Sequence, residues 1–163
     1  MIRRAAPGDA DAIAAIYAHW VEHSAATFDE TPPDTGAIAA KIEAATLPYL
    51  VAEDDGRVVG YAYLAPYHER SAYRFTAENS VYVAPDARGR GLGRALLARL
   101  LDEGAAAGVR EVVAIIAVTD DPASLALHRA FGFRDAGRLE RVGLKHGRWH
   151  DVVLLQRSLG DRD

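Results

Sequence analysis

The residues best suited to chemistry lie where an apolar strand pattern ends in a loop and an apolar helix pattern begins. Three glycines alternate with three arginines along this loop, namely Gly89, Gly91 and Gly93 with Arg88, Arg90 and Arg94, and Leu92 begins the apolar helix pattern. Glycines let backbone N–H groups approach an anion closely, and the helix N-terminus adds partial positive charge. The segment therefore predicts a site for a phosphate-bearing ligand.

Two common phosphate-binding patterns do not fit this loop. A P-loop needs Gly-Lys-Ser/Thr after four spacer residues, and that sequence is absent. The dinucleotide fingerprint requires its third glycine at position 94, which is Arg94. A purely structural interpretation stays open, in which the glycines only shape a turn from strand to helix.

Glu78 precedes the glycine loop and is a candidate general base. On an extended strand Thr76, Glu78 and Ser80 share one face, whereas Asn79 lies on the other. Partial burial among aromatic and β-branched neighbours would raise the pKa of the Glu78 carboxyl toward a useful value. A solvent-facing carboxylate in a salt bridge is the alternative that the residues alone leave open.

His128 is the second candidate catalytic residue. Ser124 and His128 are spaced i, i+4, which places them on one helical face. A neutral imidazole donates one hydrogen bond and accepts another, so the roles of acid, base and orienting group are all open. A histidine on a helix surface with no catalytic role is the other interpretation.

The chain contains no cysteine, which excludes disulfides, a thiolate nucleophile and cysteine-ligated metals. His146 and His150 have the HxxxH spacing of a metal site, but a glycine-containing turn separates them. Strand residues alternate between faces, so we expect the two imidazoles not to converge and expect no metal site.

The composition predicts one globular domain spanning residues 1–163. Half of the residues are hydrophobic and 26% are charged, which excludes a disordered chain. The net charge of -4 argues against nucleic-acid binding. Neither a signal-peptide apolar region nor a run of about 18 apolar residues is present. We therefore expect a cytoplasmic protein with no membrane partner.

Hydrophobic periodicity predicts alternating helices and strands around one twisted sheet. Helices are expected from Asp9 as N-cap, from near Asp34, from 91–92, and from Asp121-Pro122 to Gly132. Strands are expected at 49–52, 57–65, 73–83, 112–118, 134–143 and 149–157. The strand at 112–118 is apolar on both faces, so we expect it to be central and covered on both sides.

The pattern Arg88-x-x-Gly91-x-Gly93 resembles the acyl-CoA pyrophosphate loop of GNAT-type N-acetyltransferases. Other segments are similar, in the same order, to the phosphinothricin N-acetyltransferase branch of that family: 26–28, 70–73, 76–83, 121–133 and 143–152. The resemblance covers about residues 2–156. It implies an α/β fold with a single, mostly antiparallel sheet and helices on both faces, and acetyl-CoA as the donor substrate.

The resemblance also assigns the donor-side residues. It places the base at Glu78 and pairs the pantetheine arm with backbone groups of Val81, Tyr82 and Val83. Most GNAT enzymes have a tyrosine acid where His128 stands. Asp120 stands near the position at which relatives commonly carry an asparagine beside the coenzyme A arm, and an aspartate lacks the amide donor. Ser124 belongs to the same expected contact region.

An amino-acid-like acceptor needs a cation for its carboxylate, and Arg70 offers a planar, bidentate guanidinium. The resemblance implies that Phe28 supplies an apolar wall and Tyr73 a hydroxyl. It further places Lys145 and His146, with Trp149, near the acceptor pocket and a homodimer interface. His68 stands where herbicide-detoxifying relatives carry lysine, which weakens the case for phosphinothricin as the best substrate.

The leading interpretation is an acetyl-CoA-dependent N-acetyltransferase for the α-amino group of a small amino-acid analogue. Phosphinothricin, methionine sulfone and methionine sulfoximine are the expected acceptor types. The alternatives are acetylation of another amine (a peptide N-terminus, a polyamine or an aminoglycoside) and a non-catalytic acyl-CoA sensor. The sensor would need neither Glu78 nor His128.

Overall fold

The computed structural model describes residues 1–160, which form one mixed α/β unit. The strands are β1 Ile2–Arg4, β2 Tyr49–Asp54, β3 Arg57–Pro66, β4 Thr76–Val83, β5 Glu111–Ala117, β6 Arg134–Lys145 and β7 Arg148–Ser158. The α-helices are α1 Ala10–His23, α2 Thr35–Ala44, α3 Leu92–Ala106 and α4 Ala123–Ala130. Short 3-10 turns occupy Pro7–Asp9, Ser71–Tyr73 and Pro85–Ala87.

The strands make a single sheet in the order β1-β2-β3-β4-β5-β7-β6. Every neighbouring pair is antiparallel except β4 and β5, whose parallel pairing joins Thr76–Glu78 to Glu111–Val113. Across the described chain that pairing ends at Glu78 and Val113, although both strands continue. The sheet therefore splits at its centre, and the split begins beside Glu78.

The helices cover opposite faces of this sheet. A Cβ on Gly60 of β3 would lie 3.2 Å from Leu96 of α3, which puts α3 on the face of Gly60. Tyr61 points the other way and stacks on Tyr82, which in turn contacts Tyr17 of α1. The predicted architecture of one mostly antiparallel sheet between helices is confirmed.

Several local predictions are confirmed by hydrogen bonds and backbone angles. The β2–β3 turn has φ values of 48° at Asp55 and 76° at Gly56, as a tight hairpin requires. Asp34 Oδ1 accepts the Ala37 N–H at 2.7 Å and caps α2. Asp121 Oδ1 accepts the Ala123 N–H at 3.0 Å, and α4 begins at Ala123 with Pro122 as its N-cap, one residue later than Asp121-Pro122 predicts.

Asp9 is the N-cap residue of α1, as predicted, but its side chain accepts the Ala6 N–H and pairs with Arg3, so it makes no cap bond to the helix. Two other details of the predicted elements are wrong. β4 begins at Thr76, because Ser71–Tyr73 form a 3-10 turn. Strand β5 is covered on one face only, since Ile115 is 42% exposed. Periodicity alone does not distinguish a side chain that faces a cleft from one that faces a core.

No helix within residues 1–160 is long and apolar enough to cross a membrane. In the same residues, no group of three histidine, aspartate or glutamate side chains converges in a way that would hold a metal ion.

Candidate active site

A cavity of about 540 Å³ opens where β4 and β5 separate. Its walls come from α1 and the following loop, β4, the glycine loop, β5 and α4. Glu78 and His128 both line it, as do Ser80 and Ser124. The split in the sheet thus brings both candidate catalytic residues to one cleft.

The glycine loop forms one end of this cleft. Gly89 and Gly91 have φ values of 75° and 78°, a left-handed conformation that other residues rarely adopt. A Cβ at either position would meet no atom within 4 Å, so the backbone conformation is what requires glycine. Gly91 is the N-cap of α3, and Leu92 and Gly93 also line the cleft. This arrangement fits an anionic ligand at the start of α3.

The three loop arginines have different surroundings. Arg88 lines the cleft, donates to Asp121 Oδ2 at 2.7 Å and lies over the Trp20 ring. The Ala123 N–H and Arg88 together lower the pKa of the Asp121 carboxyl. The ion pair between Arg88 and Asp121 links the glycine loop to the start of α4.

Arg90 and Arg94, which were predicted as cofactor ligands, are not among the residues lining the cleft within 1–160. Arg90 donates to Asp54 Oδ2 at 2.8 Å, and Arg94 lies over the Phe131 ring. Both side chains are exposed, Arg90 from the loop and Arg94 from the first turn of α3, which the linear pattern does not reveal.

The predicted pantetheine strand borders the cleft. Val81, Tyr82 and Val83 all line it, beyond the point where β4 and β5 are paired. The Val83 carbonyl accepts a hydrogen bond from the Trp20 indole at 3.0 Å. The exposed edge of β4 therefore suits an extended ligand lying along it, as in β-strand addition.

The structure separates two further predicted donor-side residues. Ser124 lines the cleft at the start of α4. The Asp120 side chain is 95% exposed and lies 3.7 Å from Arg148, and Asp120 is not among the described residues lining the cleft.

Glu78 is half-buried on the wall of the cleft. Burial raises the pKa of its carboxyl, and the positive charge of Lys41 opposes that rise. Among residues 1–160 no lysine or arginine forms an ion pair with Glu78, in contrast to the salt-bridge alternative. A carboxylate with a raised pKa in a cleft has the properties of a general base.

His128 is buried and has a hydrogen-bond partner at each ring nitrogen. Nδ1 lies 2.7 Å from the Ser124 carbonyl oxygen, which can only accept, so Nδ1 carries the proton. Nε2 then accepts from Asn79 Nδ2 at 2.8 Å. Burial lowers the pKa of His128, which keeps the ring neutral. This geometry favours the orienting role among the three that the sequence left open.

Asn79 is a residue that the sequence interpretation did not assign to the site. Its side chain is buried, lines the cleft and lies on the sheet face opposite to Glu78. Its Oδ1 is buried without a hydrogen-bond partner among the described residues. The strand alternation places Asn79 on the face opposite to Glu78, but only the packing of α4 shows that His128 lies there.

Of the predicted acceptor residues, Phe28 lines the cleft. Tyr73 is 40% exposed and lines a separate, shallow pocket of about 250 Å³ with Tyr67 and Thr76. Arg70 is exposed on the loop before the 3-10 turn. The single chain therefore does not bring Arg70 and Tyr73 into the main cleft, because the β3–β4 connection extends away from it.

Lys145 and His146 also lie outside the described lining of the cleft. Lys145 is buried, its pKa is lowered by burial, and its Nζ donates to the Thr27 carbonyl at 2.7 Å. His146 has a φ of 50° and is exposed in the β6–β7 turn. Lys145 thus supports the loop that carries Phe28, whereas Trp149 is exposed beyond it.

Comparison with protein families decides what kind of site this is. The family model described as Acetyltransferase (GNAT) family matches residues 13–133, which include β4, the glycine loop and α4. The chain belongs to the GNAT acetyltransferase family. The sequence-based assignment of the family and of its fold is thereby confirmed.

Similar proteins narrow the branch within the GNAT family. A phosphinothricin N-acetyltransferase of Alcaligenes faecalis is 51% identical over 95% of this chain and 80% of its own length. An L-methionine sulfoximine/L-methionine sulfone acetyltransferase of Salmonella typhimurium is 40% identical over 98% of this chain and 95% of its own.

Solved structures agree with this placement. A phosphinothricin acetyltransferase from Sinorhizobium meliloti in complex with acetyl-CoA has a TM-score of 0.94 at 43% identity, covering 98% of this chain and 88% of its own. This GNAT protein is an acyltransferase that uses acetyl-CoA as donor to acetylate an amine.

Proposed function

We propose that this enzyme acetylates the α-amino group of a small anionic amino-acid analogue of the phosphinothricin, methionine sulfone or methionine sulfoximine type. The proposal depends on the position of Glu78, which is half-buried in the cleft where β4 and β5 separate. Burial raises the pKa of its carboxyl, as suits a base that deprotonates an amine. The printed functions of the similar proteins support this acceptor class.

In the proposed reaction Glu78 takes a proton from the acceptor ammonium, directly or through a water. The freed amine nitrogen attacks the thioester carbonyl, the C–N bond forms and the C–S bond breaks. The attacking nitrogen then loses a second proton, which ends on the departing thiolate as the free thiol of coenzyme A, and Glu78 releases the first proton to solvent. Because the chain has no cysteine, no acyl-cysteine intermediate is available, and direct attack with both substrates bound together is the simplest route.

The donor side is assigned to residues 81–93. Positive-φ glycines and the N-terminus of α3 would hold the pyrophosphate, with Arg88 as the nearest guanidinium. His128 acts as a positioning residue, since its Nε2 lone pair already accepts from Asn79. One amide N–H of Asn79 is then left for the ligand at the inner end of the cleft.

We assign acceptor recognition to Arg70 and Tyr73 within a homodimer. Ile115 of β5 and Leu139 of β6 lie on the same sheet face as Glu78 and are exposed. Exposed apolar side chains next to an active-site cleft are typical of an interface. A second copy covering this face would close the acceptor end, near the loop that carries Arg70.

We place the enzyme in the cytoplasm, where acetyl-CoA is supplied.

The test is a thiol-release assay with acetyl-CoA over a panel of amines. The panel contains phosphinothricin, methionine sulfone, methionine sulfoximine, a dipeptide, a polyamine and an aminoglycoside. We expect the highest kcat/KM with one of the first three. Preference for the dipeptide, the polyamine or the aminoglycoside would overturn the acceptor class. Binding of acetyl-CoA with no turnover on any amine would indicate the non-catalytic sensor.

A further inference from the structure

Gly143 of β6 lies directly against the Phe28 ring. A Cβ at position 143 would be 2.5 Å from the ring Cζ, 2.7 Å from Cδ2 and closer still to Cε2. Such separations are far shorter than van der Waals contact, so the ring and a side chain at 143 cannot both keep their places. Gly143 is not among the positive-φ residues, so this contact, and not backbone conformation, restricts the position.

The loop that carries Phe28 is held at Thr27, the residue directly before the ring. Lys145, two residues along β6, donates to the Thr27 carbonyl at 2.7 Å. The Tyr17 hydroxyl is 2.8 Å from Thr27 Oγ1. With the backbone of Thr27 held, a displaced ring can move mainly by rotation of its own side chain.

Phe28 lines the same cleft as Glu78, so the ring position sets the room available beside the base. We propose that Gly143 is a specificity-determining residue: its missing side chain provides the recess that receives the Phe28 ring and keeps the acceptor end of the cleft open. This inference rests on the proposed function, acetylation of a small amino-acid analogue. Gly143 itself touches neither substrate and acts through the Phe28 ring. Its chemical consequence is selection by acceptor size.

The test compares Gly143→Ala with Gly137→Ala, a matched substitution on the same strand. A Cβ on Gly137 would meet no atom within 4 Å, and Gly137 is also outside the positive-φ set. We expect Gly143→Ala to raise the KM for methionine sulfone at least about fivefold and to leave the KM for acetyl-CoA within about twofold. Gly137→Ala should leave both values within about twofold.

A second substitution separates the ring contact from general damage to β6. Phe28→Leu removes two of the three ring atoms that the new Cβ would meet. Adding Gly143→Ala to Phe28→Leu should change the acceptor KM less than about twofold, so that the two substitutions are strongly non-additive. The proposal is overturned if Gly143→Ala behaves like Gly137→Ala, or if its effect is the same with and without Phe28→Leu.

Thermal unfolding gives a readout that does not depend on turnover. Gly143→Ala should lower Tm in the wild-type background and much less in the Phe28→Leu background, because the clash is then gone. If the wild-type enzyme acetylates none of the panel amines, the proposed function fails while this coupling still tests the contact. Equal Tm changes in both backgrounds would refute the contact itself.

Discussion

The two halves of the cleft are built in different ways. The donor half comes mainly from one continuous segment, in which β4, the glycine loop and the start of α3 follow one another between Thr76 and Gly93, with Ser124 of α4 beside it. The acceptor half combines Phe28 after α1, Glu78 on β4 and Gly143 on β6. Its other expected residues, Arg70 and Tyr73, stand outside the cleft of the single chain.

The difference shows which half is set by local conformation and which by packing. Gly89 and Gly91 act through their own φ values, whatever surrounds them. Phe28 is held by contacts with residues more than a hundred positions away in the chain. Substitutions in the donor half should therefore affect acetyl-CoA, and those in the acceptor half should affect the amine.

Glu78→Gln should have the largest effect, because Glu78 is the proposed base for the reaction itself. We expect turnover to fall at least about tenfold, with acetyl-CoA binding unchanged, since the amide cannot accept the proton. The raised pKa means that the wild-type rate falls as pH drops through a value above the ordinary glutamate range. Rates at pH 6–9 and calorimetry with acetyl-CoA measure these effects, and unaltered turnover would remove Glu78 as the base.

Gly91→Ala tests the donor half. Alanine at a φ of 78° costs roughly 1–2 kcal/mol, and the loop relieves that strain by moving away from the anion. We expect the acetyl-CoA KM to rise about fivefold to tenfold while the acceptor KM stays within about twofold. Gly8→Ala, at a position with open space and no positive φ, is the control. Equal rises in both KM values would show that the halves are not separate.

Arg70→Ala tests the acceptor half with a smaller expected effect. Loss of the guanidinium should raise the acceptor KM about threefold to tenfold and leave the acetyl-CoA KM unchanged. Arg57→Ala is the control, because Arg57 is exposed and pairs with Asp86 away from this loop. Steady-state kinetics with each substrate varied in turn distinguish the two. An equal effect on both KM values would make Arg70 structural.

The smallest expected effect is on thermal stability, which burial of the Glu78 carboxylate lowers at neutral pH. Its folded-state pKa is raised, so its contribution to stability is full at low pH and is lost as pH rises through that pKa. At pH 7 the desolvated carboxylate is destabilising, and Glu78→Gln should raise Tm by about 1–3 °C. The difference should vanish below about pH 4. A lower Tm for Glu78→Gln at pH 7 would contradict this account.

Local signals in the sequence were sufficient for most elements. Asp34, the Asp55–Gly56 turn and Asp121 act through their nearest neighbours along the chain, and each was located correctly. Ile115 was misjudged, because an apolar side chain on a strand looks the same whether it faces a core or a cleft. The acceptor side was less predictable, because Phe28 and Gly143 meet only through packing between segments that are distant in the chain.

The glycine loop and the place of Glu78 on the strand that leads to it could be predicted from the residues alone. Both depend on backbone angles and on strand alternation, which act over a few residues. The packing of distant elements was needed to show that Arg88 faces the cleft while Arg90 binds Asp54. It also decided that His128 is a neutral partner of Asn79. Such outcomes depend on which distant elements pack together, and side-chain spacing along the chain does not encode that directly.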